Sequence, residues 1–241
     1  MGTGYAGQIA QQMPLIKDAE ANAYITRLGM SLSRLVDTRN LEWHFTIVDS
    51  KEVNAFAVPG GWIYVNRGLI ERAQTMSQVA GVLGHEIGHV TRRHSVQQMQ
   101  KAQGANVGVG LTCILTKVCE SEVAAAGINV VGGAVFAGFS RGDETQADEQ
   151  GVRNVILAKI DPKGVPEMFR ILLDERKTSP TSVDAFFATH PLEETRIAFT
   201  TAEIARHSAD ELRGAVRDTP DFQAFKRRLA ALPPSPAPKK P

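Results

Sequence analysis

Cysteine is scarce in this chain: Cys113 and Cys119 are the only two among 241 residues. Two cysteines cannot frame a disulfide-built scaffold, and without a CxxC pair there is no signature of a thiolate zinc site or a dithiol redox motif. Charge of one sign is lacking too. With 27 basic against 26 acidic side chains the net charge is +1, which leaves no footprint for nucleic acid or an anionic membrane surface. The opening residues, MGTGYAGQIAQQMPLIKD, have no basic stretch followed by an apolar one and do not read as an intact signal peptide. There is no internal repeat. One uncharged run, Val123–Ser140, reaches 18 residues, the threshold length for a bilayer span. Its four glycines and Asn129 favour instead a helix or helical hairpin packed on protein.

What remains is an ordinary globular composition, 43% hydrophobic and 22% charged. Amphipathic spacing predicts a helix over Ile16–Val36, with Ala21, Ile25, Leu28, Leu32, Leu35 and Val36 on one face. Three β-like runs follow at 43–48, 54–58 and 62–66, and Pro59-Gly60-Gly61 is a turn signal between the last two. A short helix is expected over 68–73, then a long one capped by Ser77 and running to about Gln103. Residues 104–140 turn rich in Gly and Ala. Helical patterning resumes over 141–159, ends at Asp161-Pro162, and returns over 163–177. Ser179–Ser182 reads as a loop, Pro191 as the opening of another helix, and 233–241 as a Pro-rich extended or disordered tail.

The chemistry lies in VLGHEIGHVTRRH, residues 82–94. Residues four apart on a helix differ by about 40° in azimuth, so His85 and His89 aim at one point. Glu86, about 100° around from His85, can reach a water held there without binding a metal itself. This HExxH arrangement is that of zinc hydrolases, and average residue frequencies place it by chance in under about one per cent of chains this long. Gly81, Gly84 and Gly88 leave room for close backbone approach at a helix cost of up to about 1 kcal/mol each. His94 is nine residues from His85, on the opposite side of a continuous helix. Arg92 and Ser95 stand where HExxHxxGxxH would need Gly and His, so His94 reads as a solvated residue of the Arg92-Arg93-His94 run.

A third ligand can come from SRGDETQADEQGV, residues 140–152. Glu144 and Asp148 share a helix face, Asp143 and Glu149 point elsewhere, and the small Ala147 permits tight packing against the motif helix. Spacing alone leaves two readings open: Glu144 as ligand with Asp148 behind a ligand histidine, or a solvated acidic helix start that complements the helix dipole.

Four motifs together, HEIGH (85–89), ETQAD (144–148), NAFAVPGG (54–61) and THPLEETRI (189–197), resemble the HtpX-like and CaaX-prenyl-protease family of zinc metallopeptidases, and within it the bacterial soluble branch of the periplasm. The resemblance covers about residues 8–205. It implies an α+β, mainly helical, gluzincin-type fold with a small sheet over the HExxH helix and a helical C-terminal part. The expected organisation is one peptidase domain over 1–205 with a helical insertion at 104–140, a helical extension over 206–232, and the tail. The resemblance implies one Zn2+ per chain held by His85, His89 and Glu144, with Glu86 as general base and Asp148 behind a ligand.

His190 matches a histidine near the zinc that can hydrogen-bond an oxyanion, though it also stands where a helix cap would precede Pro191. Arg196 can neutralise Glu144 or Asp148, or pair with Glu193. Asn54, Ala55, Phe56 and Ala57 match an edge strand that pairs with an extended substrate, while Phe56 alone also suits a core. The function expected is a metalloendopeptidase for extended or misfolded polypeptide in envelope quality control, peripheral to the membrane at most. The alternative is an assembly factor for outer-membrane proteins whose metal site is latent. Cys113 and Cys119 would form a disulfide only if 113–119 is the turn of a hairpin; otherwise they are buried thiols.

Overall fold

The computed structural model of the chain describes residues 2–104, 138–191 and 194–236. Both cysteines, nearly all of the 104–140 insertion, the uncharged run up to residue 137 and the tail beyond 236 lie outside the described residues. No helix among the described residues is long and apolar enough to cross a membrane.

After α1 (Gly2–Gln12), helix α2 (Ala19–Ser33) starts at Asp18, whose carboxylate accepts from the Ala21 N–H at 2.9 Å. Ala21, Ile25, Leu28 and Leu32 are buried as their spacing predicts. Leu35 is 52% exposed, because the helix stops at Ser33 and the periodicity beyond it no longer applies.

Strands β1 (His44–Val48), β2 (Ala55–Val58) and β3 (Trp62–Asn66) form one sheet in the order β1-β3-β2, with β1 parallel and β2 antiparallel to the central β3. Gly60 and Gly61 turn the β2–β3 hairpin with φ of 100° and 98°, a region open to glycine at little cost. Alternation then sorts the side chains. Phe45, Ile47, Ala57, Ile63 and Val65 enter the main core, whereas Phe56, Val58 and Tyr64 face a second cluster with Ile9 of α1. The sheet is therefore covered on both faces.

The helix beneath the sheet, α4 (Met76–Arg92), follows a short α3 (Arg67–Arg72). Thr75, and not Ser77, is its N-cap, with the Gln78 side chain reaching back to the Thr75 and Gln74 N–H groups. Nor does it run to Gln103. Arg93 takes the left-handed conformation at φ 64°, and α5 (His94–Gly104) begins anew.

Helix α6 (Arg141–Leu157) crosses α4 at backbone contact: a Cβ added to Gly84 would meet the Gly151 carbonyl at 3.1 Å, and one on Gly88 the Ala147 carbonyl at 3.1 Å. Then come α7 (Gly164–Thr178), α8 (Pro180–Thr189), α9 (Glu194–Ala205), α10 (Ala209–Leu212) and α11 (Pro220–Ala231). The stretch expected as a loop at Ser179–Ser182 instead starts α8, with Pro180 in the first turn, where its missing N–H costs nothing. Pro191 stands ahead of α9. Phe222, Phe225 and Leu229 of α11 enter the main core, where Phe225 stacks on Tyr24 at 4.4 Å.

Candidate metal centre

The close crossing of α4 and α6 decides what can meet. His85 and His89 extend from α4 with their Nε2 atoms 2.9 Å apart. Glu144, in the first turn of α6, brings Oε1 to 3.3 Å from His89 Nε2 and Oε2 to 3.6 Å from His85 Nε2. His190, at the C-terminus of α8, sets Nδ1 3.2 Å from Glu144 Oε1 and 3.4 Å from His85 Nε2. One donor atom from each of these four buried residues lies within 4.8 Å of the others. The sequence-predicted trio and His190 thus converge on one point.

These spacings suit a cation. A tetrahedral ion with ligands at about 2.0–2.1 Å separates its donors by about 3.3 Å, close to the distances seen. The tautomers agree. His85 Nδ1 is 2.9 Å from Asp148 Oδ1, and because a carboxylate only accepts, Nδ1 holds the hydrogen and Nε2 presents a lone pair. Among the described residues both Glu86 oxygens are buried without a hydrogen-bond partner, and His190 Nε2 lies 3.6 Å from Oε1. Composition points the same way: three carboxyl groups, Glu86, Glu144 and Asp148, are buried around one guanidinium, that of Arg196, an acid-rich setting that suits a divalent ion.

Arg196 takes both carboxylates, while the alternative partner Glu193 lies outside the described residues. Nε and Nη2 donate to Asp148 at 2.7 and 2.6 Å, and Nη1 lies 2.5 Å from Glu144 Oε2. That last contact is a buried ion pair. Burial opposes the Arg196 charge, but Asp148 and then Glu144 hold its pKa above the usual range.

Burial pushes the Glu86 carboxyl up. Burial would raise Glu144 as well; His190, followed by His85 and His89, outweighs it and holds Glu144 well below the carboxylate range. His89 is held well below its ordinary value by burial. For His190 burial acts downward, yet Glu144 and Glu86 more than reverse it.

Two residues that sequence reasoning missed complete the surroundings. His94 is no solvated bystander: it is 1% exposed, and its Nδ1 lies 3.0 Å from His89 Nδ1. The left-handed Arg93 ends α4 and α5 starts afresh at His94, so azimuths extrapolated along one helix do not reach His94. Glycine at that position would have signalled the turn. Phe139 stacks on His89 with ring centroids 3.8 Å apart, and no spacing rule connects a lone aromatic to a helix fifty residues back.

Asp143 and Glu149 point elsewhere as expected: Asp143 forms a capping box with Ser140, and Glu149 is exposed. Ala55 to Ala57 lie in β2 at the end of the sheet order with Asn54 just before it, all four are buried, and Phe56 stacks on Tyr64 at 5.0 Å in the cluster away from α4. Its side chain is therefore core.

The sequence model of peptidase family M48 matches residues 19–204, which include all four motifs. The chain is 31% identical over 240 residues to the beta-barrel assembly-enhancing protease of Escherichia coli (strain K12), covering 96% of this chain and 48% of that protein. It is 25% identical over 217 residues to the mitochondrial metalloendopeptidase OMA1 of Schizosaccharomyces pombe, covering 84% and 59%. It is also 29% identical over 175 residues to the metalloprotease LoiP of Escherichia coli (strain K12), covering 70% and 62%. The chain spans about half the length of the beta-barrel assembly-enhancing proteases it matches.

Proposed function

The chain belongs to peptidase family M48, and from that premise we propose that it is a zinc-dependent metalloendopeptidase acting on extended or misfolded polypeptide in the bacterial periplasm. The observation that carries the proposal is the convergence of His85, His89 and Glu144 beside a Glu86 carboxylate that is buried and unpartnered. His85, His89 and Glu144 would hold the ion, a donor set of two nitrogens and one oxygen that suits zinc. Zinc bound there supplies Lewis-acid polarisation of the scissile carbonyl and acidifies water at neutral pH.

The chain's own residues do the rest. Glu86 takes the proton from the attacking water and hands it to the leaving amine. Asp148, itself gripped by Arg196, keeps the hydrogen of His85 on Nδ1. Asn54, Ala55, Phe56 and Ala57 would orient an extended substrate through their backbone, since the Phe56 side chain is committed to the core. The name of the relative from Escherichia coli, a beta-barrel assembly-enhancing protease, supports envelope or outer-membrane proteins as the substrate class.

The test compares zinc content and casein cleavage in wild type and Glu86→Gln. Zinc should stay stoichiometric while cleavage falls by at least about 10²-fold; cleavage at the wild-type rate would remove Glu86 from the mechanism.

The position of His190 supports a second reading of the resting state. Its Nδ1 joins the donor group itself, so it would take the fourth position and leave the site closed, as in a latent protease that serves mainly in assembly. His190→Ala separates the roles. Cleavage rises if His190 blocks the site and falls by about 10²-fold if it stabilises the oxyanion.

A further inference from the structure

We propose that His94 is the positioning residue for His89, fixing the tautomer in which His89 can bind metal. The inference rests on the reading of His89 as a ligand. His89 Nε2 faces the donor group, so in a metal-binding imidazole the hydrogen must sit on Nδ1. The partner of that nitrogen is His94 Nδ1 at 3.0 Å. Two ring nitrogens can share a hydrogen bond only if one accepts, and with His89 donating, His94 Nδ1 is the acceptor. The hydrogen of His94 then belongs on Nε2, and what that atom meets is an acceptor: Gln146 Oε1 at 3.3 Å, with Asp143 Oδ1 at 3.9 Å.

The relay therefore runs in one direction, from His89 Nδ1–H to His94 Nδ1 and from His94 Nε2–H to Gln146. Every member has a lone pair or hydrogen of the right kind. Ligand histidines ordinarily donate this hydrogen to a carboxylate, a backbone carbonyl or water. His85 follows that habit through Asp148, whereas His89 uses a second histidine, delivered by the left-handed turn at Arg93. Phe139 against the ring face and His94 at its edge leave His89 one orientation. Helix α6 carries both Glu144 and Gln146, so the same element supplies a ligand and closes the relay.

Zinc affinity, measured by competition with a chromophoric chelator, tests this on wild type, His94→Leu and His94→Asn. His94→Leu fills the space but accepts nothing, and should bind zinc about 10- to 100-fold more weakly. His94→Asn places a carbonyl oxygen near the lost Nδ1 and should stay within a few-fold of wild type, a rescue that a space-filling role would not produce. Equal affinity in wild type and His94→Leu overturns the proposal while leaving the ligand assignment intact; a wild type that takes up no zinc overturns both. Should His94→Leu not fold, long-range proton–nitrogen spectra of the zinc-loaded wild type, labelled with 15N-histidine, decide it. His94 must be the Nε2–H tautomer, and a hydrogen on its Nδ1 overturns the proposal.

Discussion

Replacing Arg196 by methionine removes the one permanent cation from a cluster of three buried carboxylates. Asp148, fully buried, would lose two short charge-assisted hydrogen bonds and keep only His85 Nδ1. Glu144 would lose its ion pair at 2.5 Å. Removing one partner of a buried pair leaves an uncompensated charge and costs about 3–5 kcal/mol, a large part of the roughly 5–15 kcal/mol that stabilises a domain. For a chain of this size that is a fall in Tm of about 6–20 °C.

The loss should appear in full in chelator-treated protein unfolded by urea, and shrink once zinc is added, because a divalent ion beside Glu144 supplies part of the missing charge. Arg196→Lys should recover little, since a single ammonium cannot make the paired contact to Asp148. Adding Asp148→Asn to Arg196→Met should restore stability, because it neutralises the carboxylate left behind. A loss below about 1 kcal/mol for Arg196→Met, the value of an exposed pair, would refute the reasoning, and so would a double variant no more stable than the single one.

Three further outcomes follow from packing and charge elsewhere. A Cβ on Gly164 would stand 2.3 Å from the Ser77 backbone, so Gly164→Ala must push α7 off the start of α4. It should lower stability by at least about 1–3 kcal/mol in urea unfolding. Burial alone raises the Glu52 carboxyl. An acid whose folded pKa is raised favours the fold while protonated and loses that contribution as pH climbs through the carboxylate range, so Glu52→Gln should raise Tm near neutral pH and leave it unchanged in acid. Arg67 donates to the carbonyls of Leu229 and Pro233 at 2.7 Å each. Arg67→Met should cost about 1.5–3 kcal/mol and speed proteolytic clipping after Leu229.

The sequence made some of this legible for plain reasons. The three β runs are short stretches rich in apolar, β-branched and aromatic residues, two of them joined by a Pro-Gly-Gly turn, and the buried face of α2 follows from a period of 3.6 that burial enforces. His85, Glu86 and His89 share one helix, where spacing is geometry. Glu144 needed the resemblance, because nothing local says which acidic helix crosses α4. The failures were turns. Arg93 adopts a conformation uncommon for anything but glycine, and missing it both lengthened α4 and lost His94. Ser179–Ser182 reads as a loop from its composition, yet Pro180 equally suits a first helical turn, and only the packing of α8 distinguishes the two.

That crossing also explains how ligands from distant segments keep their register. Gly84 meets Gly151 and Gly88 meets Ala147, so the helices run antiparallel along two stripes of small residues, each with a spacing of four. The site residues, His85 with His89 and Glu144 with Asp148, share that spacing and lie beside the contact stripes. Sliding α6 by one turn, about 5.4 Å, would move Asp148 toward the place of Glu144, but it would also set Val155 where Gly151 now meets the Gly84 backbone. Two polar contacts add to that barrier. Asn154 Nδ2 donates to the Gly84 carbonyl at 3.0 Å within the crossing, a buried bond that other registers would leave unmade. Arg196 reads Asp148 with a paired donor set and Glu144 with its remaining nitrogen, a division that fits a short acid in one place and a longer one in the other. The small residues both permit the contact and mark its register, and the polar ones hold it there.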